Sequence, residues 1–292
     1  MHEPVLLDEA LELLAVRPGG FYVDGTLGLA GHARAILARS APDGRLLGCD
    51  RDGEALELAR AALVDQAERV RLEQADFREV PRLLGAQRAD GILLDLGVSS
   101  LQLDSPERGF SFRHDGPLDM RLDRSRGASA AEAVNRLPEK VLADLIYAWG
   151  EEPASRRIAS AIVAERRARP IATTARLAEV VRRAAGRQRR PGLDPATRTF
   201  QALRIHVNAE LQGLEEALER LAACLAPGGR LVVISFHSLE DRPAKQALRA
   251  LQARGGFRVL TPKPVRPGAA EEARNPRARS ARLRAVAREE AA

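Results

Sequence analysis

Four short apolar runs punctuate the first hundred residues: Phe21-Tyr22-Val23, Arg45-Leu46-Leu47-Gly48-Cys49, Val70-Arg71-Leu72-Glu73 and Gly91-Ile92-Leu93-Leu94. Between them, apolar residues recur at three- and four-residue spacing, as on a helix with one buried face. The runs predict strands over 21–24, 45–49, 69–74 and 90–95. The spaced stretches predict helices over 6–15 and 31–40, and a third through Ala55, Leu56, Ala59 and Leu63 with Asp52 as its N-cap. Strands alternating with helices in this way predict an α/β protein, a mostly parallel sheet covered on both faces.

The alternation stops after residue 95. Residues 96–128 are polar and show neither period. A stretch of that length in a compact protein is usually functional or disordered, and Phe110, Phe112 and Met120 argue against disorder. Helical stripes follow over 130–148, 153–168 and 173–185. A long amphipathic helix is expected over 199–225, closed by Ala226-Pro227-Gly228-Gly229. Strands over 230–236, 257–261 and 282–286, with a helix over 240–254, then resume the α/β pattern. Residues 262–280, rich in proline and arginine, read as a basic loop. The expected division is an α/β domain built from 1–103 and 201–292, with an inserted helical domain over 104–200.

Each of the four runs meets an acid at or just past its end: Asp24, Asp50, Asp76 and Asp95. Helix capping would account for one or two of these but poorly for four. In doubly wound sheets the carboxyl ends of the strands form the ligand crevice, and an acid after the second strand accepts hydrogen bonds from ribose hydroxyls. Asp50, 26 residues after Asp24, has that place. Asp76 and Phe77 stand where an adenine would be held. Gly25, Gly28 and Gly31 make a tight turn into the first helix of the repeat, where backbone can approach a ligand closely. Their spacing is not G-x-G-x-x-G, and no hydride-site histidine or lysine is evident, which argues against a nicotinamide oxidoreductase.

The 292 residues, 45% hydrophobic and 29% charged, suit a soluble globular protein with room for a second domain. Cys49 and Cys224 both sit in apolar runs and read as buried small hydrophobes; no zinc-ligand spacing is present, and no metal is expected. No apolar run is long enough for a membrane span, and the acidic, amphipathic start is unlike a signal peptide, so the cytoplasm is the expected location. The net charge of +6 is unevenly spread. Residues 1–100 hold 11 basic and 17 acidic side chains, residues 156–190 hold 11 and 2, and residues 263–292 hold 8 and 4. A general use of arginine on the surface explains the total but not the clustering. A small-molecule site in an acidic half, with basic zones elsewhere, suits a polyanionic substrate.

Ten segments carry a family resemblance, in order along nearly the whole chain. They are HEPVLLDEA at 2–10, YVDGTLGLAGHA at 22–33, CDRD at 49–52, GILLDLGVSSLQLD at 91–104, RGFSF at 108–112 and DGPLDMRLD at 115–123. YAWGEEPASRRIASAIV at 147–163, PATRTFQALRIHVNAEL at 195–211, GGRLVVISFHSLEDR at 228–242 and NPRARSARLR at 275–284 complete the set. In these the chain resembles the bacterial family that methylates the exocyclic N4 amine of a cytosine in the decoding region of small-subunit (16S) ribosomal RNA, using S-adenosylmethionine. The resemblance implies a class I S-adenosylmethionine-dependent methyltransferase fold, a Rossmann-like doubly wound sheet with an inserted helical substrate-recognition domain. The implied partner is 16S rRNA within the small ribosomal subunit, with no membrane. The implied cofactor-binding residues are Ala30, Gly31, His32, Asp50, Phe77, Asp95 and Gln102. The family usually has two glycines before the histidine. Here the first is Ala30, read as a position that needs a small residue and not a positive φ.

The implied reaction is in-line attack of the amine on the sulfonium methyl. Acceptors for the amine protons would assist it. Asp95 is the candidate acceptor; its other reading is binding the methionine end of the cofactor. The tetrapeptides SPPY and DPPY of DNA amino-methyltransferases are absent, so the catalytic group stays unassigned. His237 reads as a loop hydrogen-bonder or a group facing the base. Asp115 and Asp119 read as shaping a substrate mouth or capping turns. Phe110 and Phe112 would stack an extruded base or fill the seam between domains. The arginines of 156–190 and 274–284 would track phosphate. An RNA-binding assembly factor with a relict pocket is the competing reading, and the intact Asp50 and Asp95 argue against it.

Overall fold

In the computed structural model, residues 4–186 and 194–290 are described. The strands are β1 (Phe21–Asp24), β2 (Arg45–Asp50), β3 (Val70–Gln74), β4 (Ala89–Asp95), β5 (Leu225–Ser235), β6 (Phe257–Val259) and β7 (Arg282–Arg288). The helices are α1 (Leu7–Leu14), α2 (Gly31–Arg39), α3 (Gly53–Ala62), α4 (Val80–Leu84), α5 (Ser100–Asp104), α6 (Ala130–Arg136), α7 (Glu139–Gly150), α8 (Ser155–Ala168), α9 (Thr174–Ala185), α10 (Ala196–Asn208), α11 (Leu214–Ala223), α12 (Ser238–Arg254) and α13 (Ala269–Arg274).

The strands form one sheet in the order β3-β2-β1-β4-β5-β7-β6. The first five in that order are parallel, and β7 runs antiparallel to both β5 and β6. Tyr22, Val23, Leu46, Leu47, Ile92, Leu93, Leu94 and Leu231 to Ile234 are all buried. A parallel strand with helices on both faces buries successive residues, which is why these strands read as unbroken apolar runs and not as alternation. The order reverses between β1 and β4, the switch point at which such sheets open their crevice.

The chain separates into two compact units, Met1–Gly97 with Gly213–Ala292, and Val98–Gln212. The second unit therefore starts earlier and ends later than the 104–200 expected. A boundary at residue 200 would cut through α10, whose Phe200, Ala202 and Leu203 belong to the helical core with Leu142, Ile146, Ile158, Ile162, Leu177 and Val181.

Two predicted helices are broken. The stripe over 130–148 is α6 and α7, because Pro138 between them has no N–H to continue the ladder. The helix expected over 199–225 is α10 and α11. Ala209 ends α10 in a left-handed conformation (φ 50°), and Gly213 starts α11 in another (φ 63°). The Asn208 side chain accepts from the Leu122 N–H at 2.8 Å and donates to the Met120 carbonyl at 2.8 Å, a tertiary hold at the helix end. Residues 226–229 lie within β5, where the pairing slips from Ala89 with Leu225 to Gly91 with Arg230. The basic stretch 262–280 contains α13 and a short 3₁₀ turn, Pro276–Ser280. Both cysteines are free and buried, and among the described residues no helix is long and apolar enough to cross a membrane.

Candidate active site

Strand register gathers three of the acids. Asp24 is level with Gly48 on β2 and with Leu93 on β4. Asp50 and Asp95 thus stand two residues beyond Asp24 on the strands either side of it. Side chains alternate along a strand, so all three carboxylates share one face of the sheet at its carboxyl edge, across the switch point.

The turn after β1 is stitched to its neighbours through backbone. Gly25 N–H donates to the Leu93 carbonyl and Leu27 N–H to the Cys49 carbonyl, both at 2.9 Å. Gly28 N–H donates to Asp50 Oδ2 at 2.8 Å, and Asp52 N–H to Asp50 Oδ1 at 2.8 Å. A carboxylate has about four acceptor sites, so each Asp50 oxygen can take a further hydroxyl. A Cβ at Gly25 would lie 2.5 Å from Leu94 Cδ2 and 3.0 Å from Phe77 Cβ, which is why glycine is needed there. Thr26 joins two of the acids: its N–H donates to Asp24 Oδ1 at 3.1 Å, and its hydroxyl accepts from the Asp95 N–H at 2.6 Å.

Ala30 corrects the expectation drawn from its size. It is wholly buried and left-handed, with φ 62° and ψ 26°, so the position needs both smallness and a positive φ. Alanine accepts that conformation at a cost of about 1–2 kcal/mol.

Burial controls the acids. It pushes the Asp24 carboxyl up to about 7 against the pull of the Thr26 N–H, with Asp50 adding to the rise. Asp50 rises to about 6, again through burial, although the Asp52 and Gly28 N–H groups oppose it. Asp95 is held well above the ordinary carboxylate range by burial, then by Asp24 and Glu240. Neither Asp24 nor Asp50 has an ion-pair partner among the described residues, and Asp95 Oδ1 is buried with no hydrogen-bond partner. Yet 25% of the Asp95 side chain remains exposed, so a ligand can reach it. His32 lies beside it, Nδ1 at 3.8 Å from Asp95 Oδ2, with Nε2 at 3.0 Å from the Val5 carbonyl. A cluster of this kind favours a ligand carrying positive charge.

Ala30, Gly31, His32, Asp50, Phe77 and Asp95 all belong to this unit. Phe77 is 8% exposed and carries the Arg78 guanidinium 4.5 Å from its ring centroid. Asp76 is spent on structure: it completes a capping box with Glu79 and pairs with Arg51 and Arg78. Gln102 belongs to the second unit, where its side chain forms the capping box of α5 with Ser99, accepting the Ser99 N–H at 2.8 Å. Asp24 and Thr26 were visible in the sequence as part of the glycine turn, but nothing local marks their coupling to Asp95 across two strands.

The remaining candidates resolve toward structural roles. Phe110 lies in the core of the helical unit, and Phe112 packs edge-on against Phe200 at 4.8 Å. Asp115 caps α9 by accepting the Ala175 N–H at 3.0 Å. Asp119 holds Arg121 at 2.7 Å. His237 Nε2 stands 3.0 Å from Glu240 Oε1, the hydrogen-bonding alternative. Arg189 and Arg190 lie outside the described residues.

Ribosomal RNA small subunit methyltransferase H of Acidobacterium capsulatum is 54% identical to this chain, the match covering 98% of this chain and 97% of that protein. The protein of the same name in Citrifermentans bemidjiense is 52% identical, covering 98% and 97%. A crystal structure of a putative rRNA methylase from Clostridium thermocellum shares the fold, with TM-score 0.50 at 12% identity over 99% of each chain. The MraW methylase family matches residues 1–289. The chain belongs to the MraW methylase family.

Proposed function

We propose that the protein transfers a methyl group from S-adenosylmethionine to the exocyclic N4 amine of a cytosine in the decoding region of 16S ribosomal RNA. The observation that carries this is the group of acids at the switch point, buried Asp24 between partly buried Asp50 and Asp95, with Asp95 Oδ1 lacking any donor. A cationic, nucleoside-bearing ligand fits such a site. When bound, S-adenosylmethionine supplies a methyl group on a positively charged sulfur. Asp50 would accept the ribose hydroxyls while its oxygens keep the Gly28 and Asp52 N–H groups. Phe77 would lie against the adenine. Asp95, with its orphaned oxygen, would take the ammonium of the methionine end, and its charge would then be held by that partner and not by a proton. Ala30, Gly31 and His32 would line the turn. Gln102 joins the set on the family resemblance. The protein's contribution is placement and charge, the donor bringing the reactive bond.

The helical unit, Val98–Gln212, is the proposed substrate-recognition part, acting on RNA within the small subunit. Mass spectrometry of 16S rRNA nucleosides from cells with and without the protein tests the reaction. N4-methylated cytidine is expected to fall when the protein is absent; an unchanged profile would refute the substrate while leaving cofactor binding to be measured by calorimetry.

A further inference from the structure

The residues ahead of α1 lie against the turn that holds the acids. A Cβ on Gly31 would come within 2.4 Å of Pro4 Cγ, so glycine lets the two segments touch. The next residue, Val5, presents its carbonyl to His32 Nε2. A carbonyl oxygen only accepts, so Nε2 carries the hydrogen, and Nδ1 is the nitrogen turned toward Asp95. Leu6 determines where that carbonyl points. It is wholly buried and left-handed (φ 51°, ψ 42°), a conformation that leucine avoids. Its N–H donates to Glu271 Oε1 at 2.8 Å, a contact 265 residues away along the chain, from α13. The other end of α1 is held separately, by Arg230 donating to the Leu13 carbonyl at 3.1 Å.

We infer that Glu271 is a positioning residue for the methyl-donor site. By holding the Leu6 N–H it keeps Leu6 left-handed and aims the Val5 carbonyl. That carbonyl selects the Nε2–H tautomer of His32 and leaves Nδ1 facing Asp95. The inference rests on the reading that the donor binds at His32 and Asp95. The bland alternative is that Glu271 is only an anionic cap for α1, which would affect stability alone.

The test uses the full chain labelled with ¹⁵N at histidine. The His32 ring signals are assigned by their loss in His32→Gln and compared in Glu271→Ala, Glu271→Gln and Arg230→Ala, alongside calorimetric titration with S-adenosylmethionine. The native protein is expected to show the Nε2–H tautomer. Glu271→Ala is expected to mix tautomers and weaken binding roughly fivefold, as for one lost hydrogen bond. Glu271→Gln, which keeps an acceptor oxygen, restores both. Arg230→Ala lowers the melting temperature and moves neither. If Glu271→Ala, or Glu271→Asp should the alanine variant not fold, changes melting alone and leaves the ring signals native, the inference is overturned. If the native protein takes up no S-adenosylmethionine, the functional reading fails, and the ring signals still decide the role of Glu271.

Discussion

The two units treat charge in opposite ways. At the carboxyl edge of the sheet, Asp24, Asp50 and Asp95 are crowded together, and neither Asp24 nor Asp50 has an ion-pair partner among the described residues. In the helical unit most of the described arginines that made residues 156–190 so basic are occupied. Arg176 pairs with Glu165 and Glu179, Arg182 with Asp194, Arg183 with Glu165 and Arg156 with Asp144. Arg157 donates to the last carbonyls of α9, and Arg166 to the Val134 and Leu137 carbonyls at the end of α6. An acid that a fold leaves without a partner in a buried place either takes up a proton or is held charged by a cationic ligand, because an isolated buried carboxylate is costly. A basic run in a sequence carries less information, since most of its members can be absorbed by helix ends and neighbouring acids. Among the described residues of that run, Arg167 and Arg169 are the exposed arginines for which no such partner is found.

The largest effect should come from the acidic side of this comparison. Asp95→Asn keeps the shape and removes the charge. Losing one partner of a charge pair held out of water costs about 2–5 kcal/mol, so affinity for S-adenosylmethionine should fall by roughly thirtyfold to a few thousandfold by calorimetry, with no loss of melting temperature. An affinity within threefold of native would remove Asp95 from the site.

The next effect is a pH dependence whose sign follows from the raised acids. The folded pKa of Asp24, about 7, and of Asp50, about 6, lie above the unfolded value of 3.8. The folded state therefore holds more protons, and the ligand-free protein should lose stability, by a few kcal/mol, as pH rises from about 4 to about 7. A cationic ligand binds the deprotonated acids, so its affinity should rise as pH passes through these folded values, from about 5 to about 8, by roughly tenfold or more. Asp24→Asn should flatten both curves. Chemical denaturation and calorimetry across the range would measure them, and an affinity independent of pH would contradict the coupling.

On the basic side, Arg167→Glu with Arg169→Glu should weaken RNA binding several-fold and reduce its salt dependence by about two phosphate contacts. Arg182→Ala and Arg183→Ala break surface pairs and should change stability by less than about 1 kcal/mol. Filter binding at several salt concentrations separates the two classes. If the paired arginines prove the stronger determinants, the distinction between absorbed and available charge fails for this unit. The smallest effect belongs to Ala30→Gly. Relief of the left-handed strain is partly offset by the entropy of glycine in the unfolded chain, leaving a gain of about 0.5–1 kcal/mol, read as a small rise in melting temperature.

Much of this was legible along the chain. Strands covered on both faces are written as continuous apolar runs, and an acid that ends such a run sits at the sheet's carboxyl edge whatever the rest of the fold does. Asp24, Asp50 and Asp95 could thus be placed together from position alone, and the glycine turn beside them from residue type. What stayed hidden depends on partners far away in sequence. Asn208 ends α10 because its side chain meets Leu122 and Met120, 86 and 88 residues earlier. Arg182 is neutralised because Asp194 lies beside it, and the sign of φ at Ala30 is a backbone property that a methyl side chain does not announce. Glu271 reaches Leu6 from nearly the other end of the chain. Burial and periodicity are local consequences of composition, whereas pairing, strain and perturbed acidity arise only once distant segments have been packed against one another.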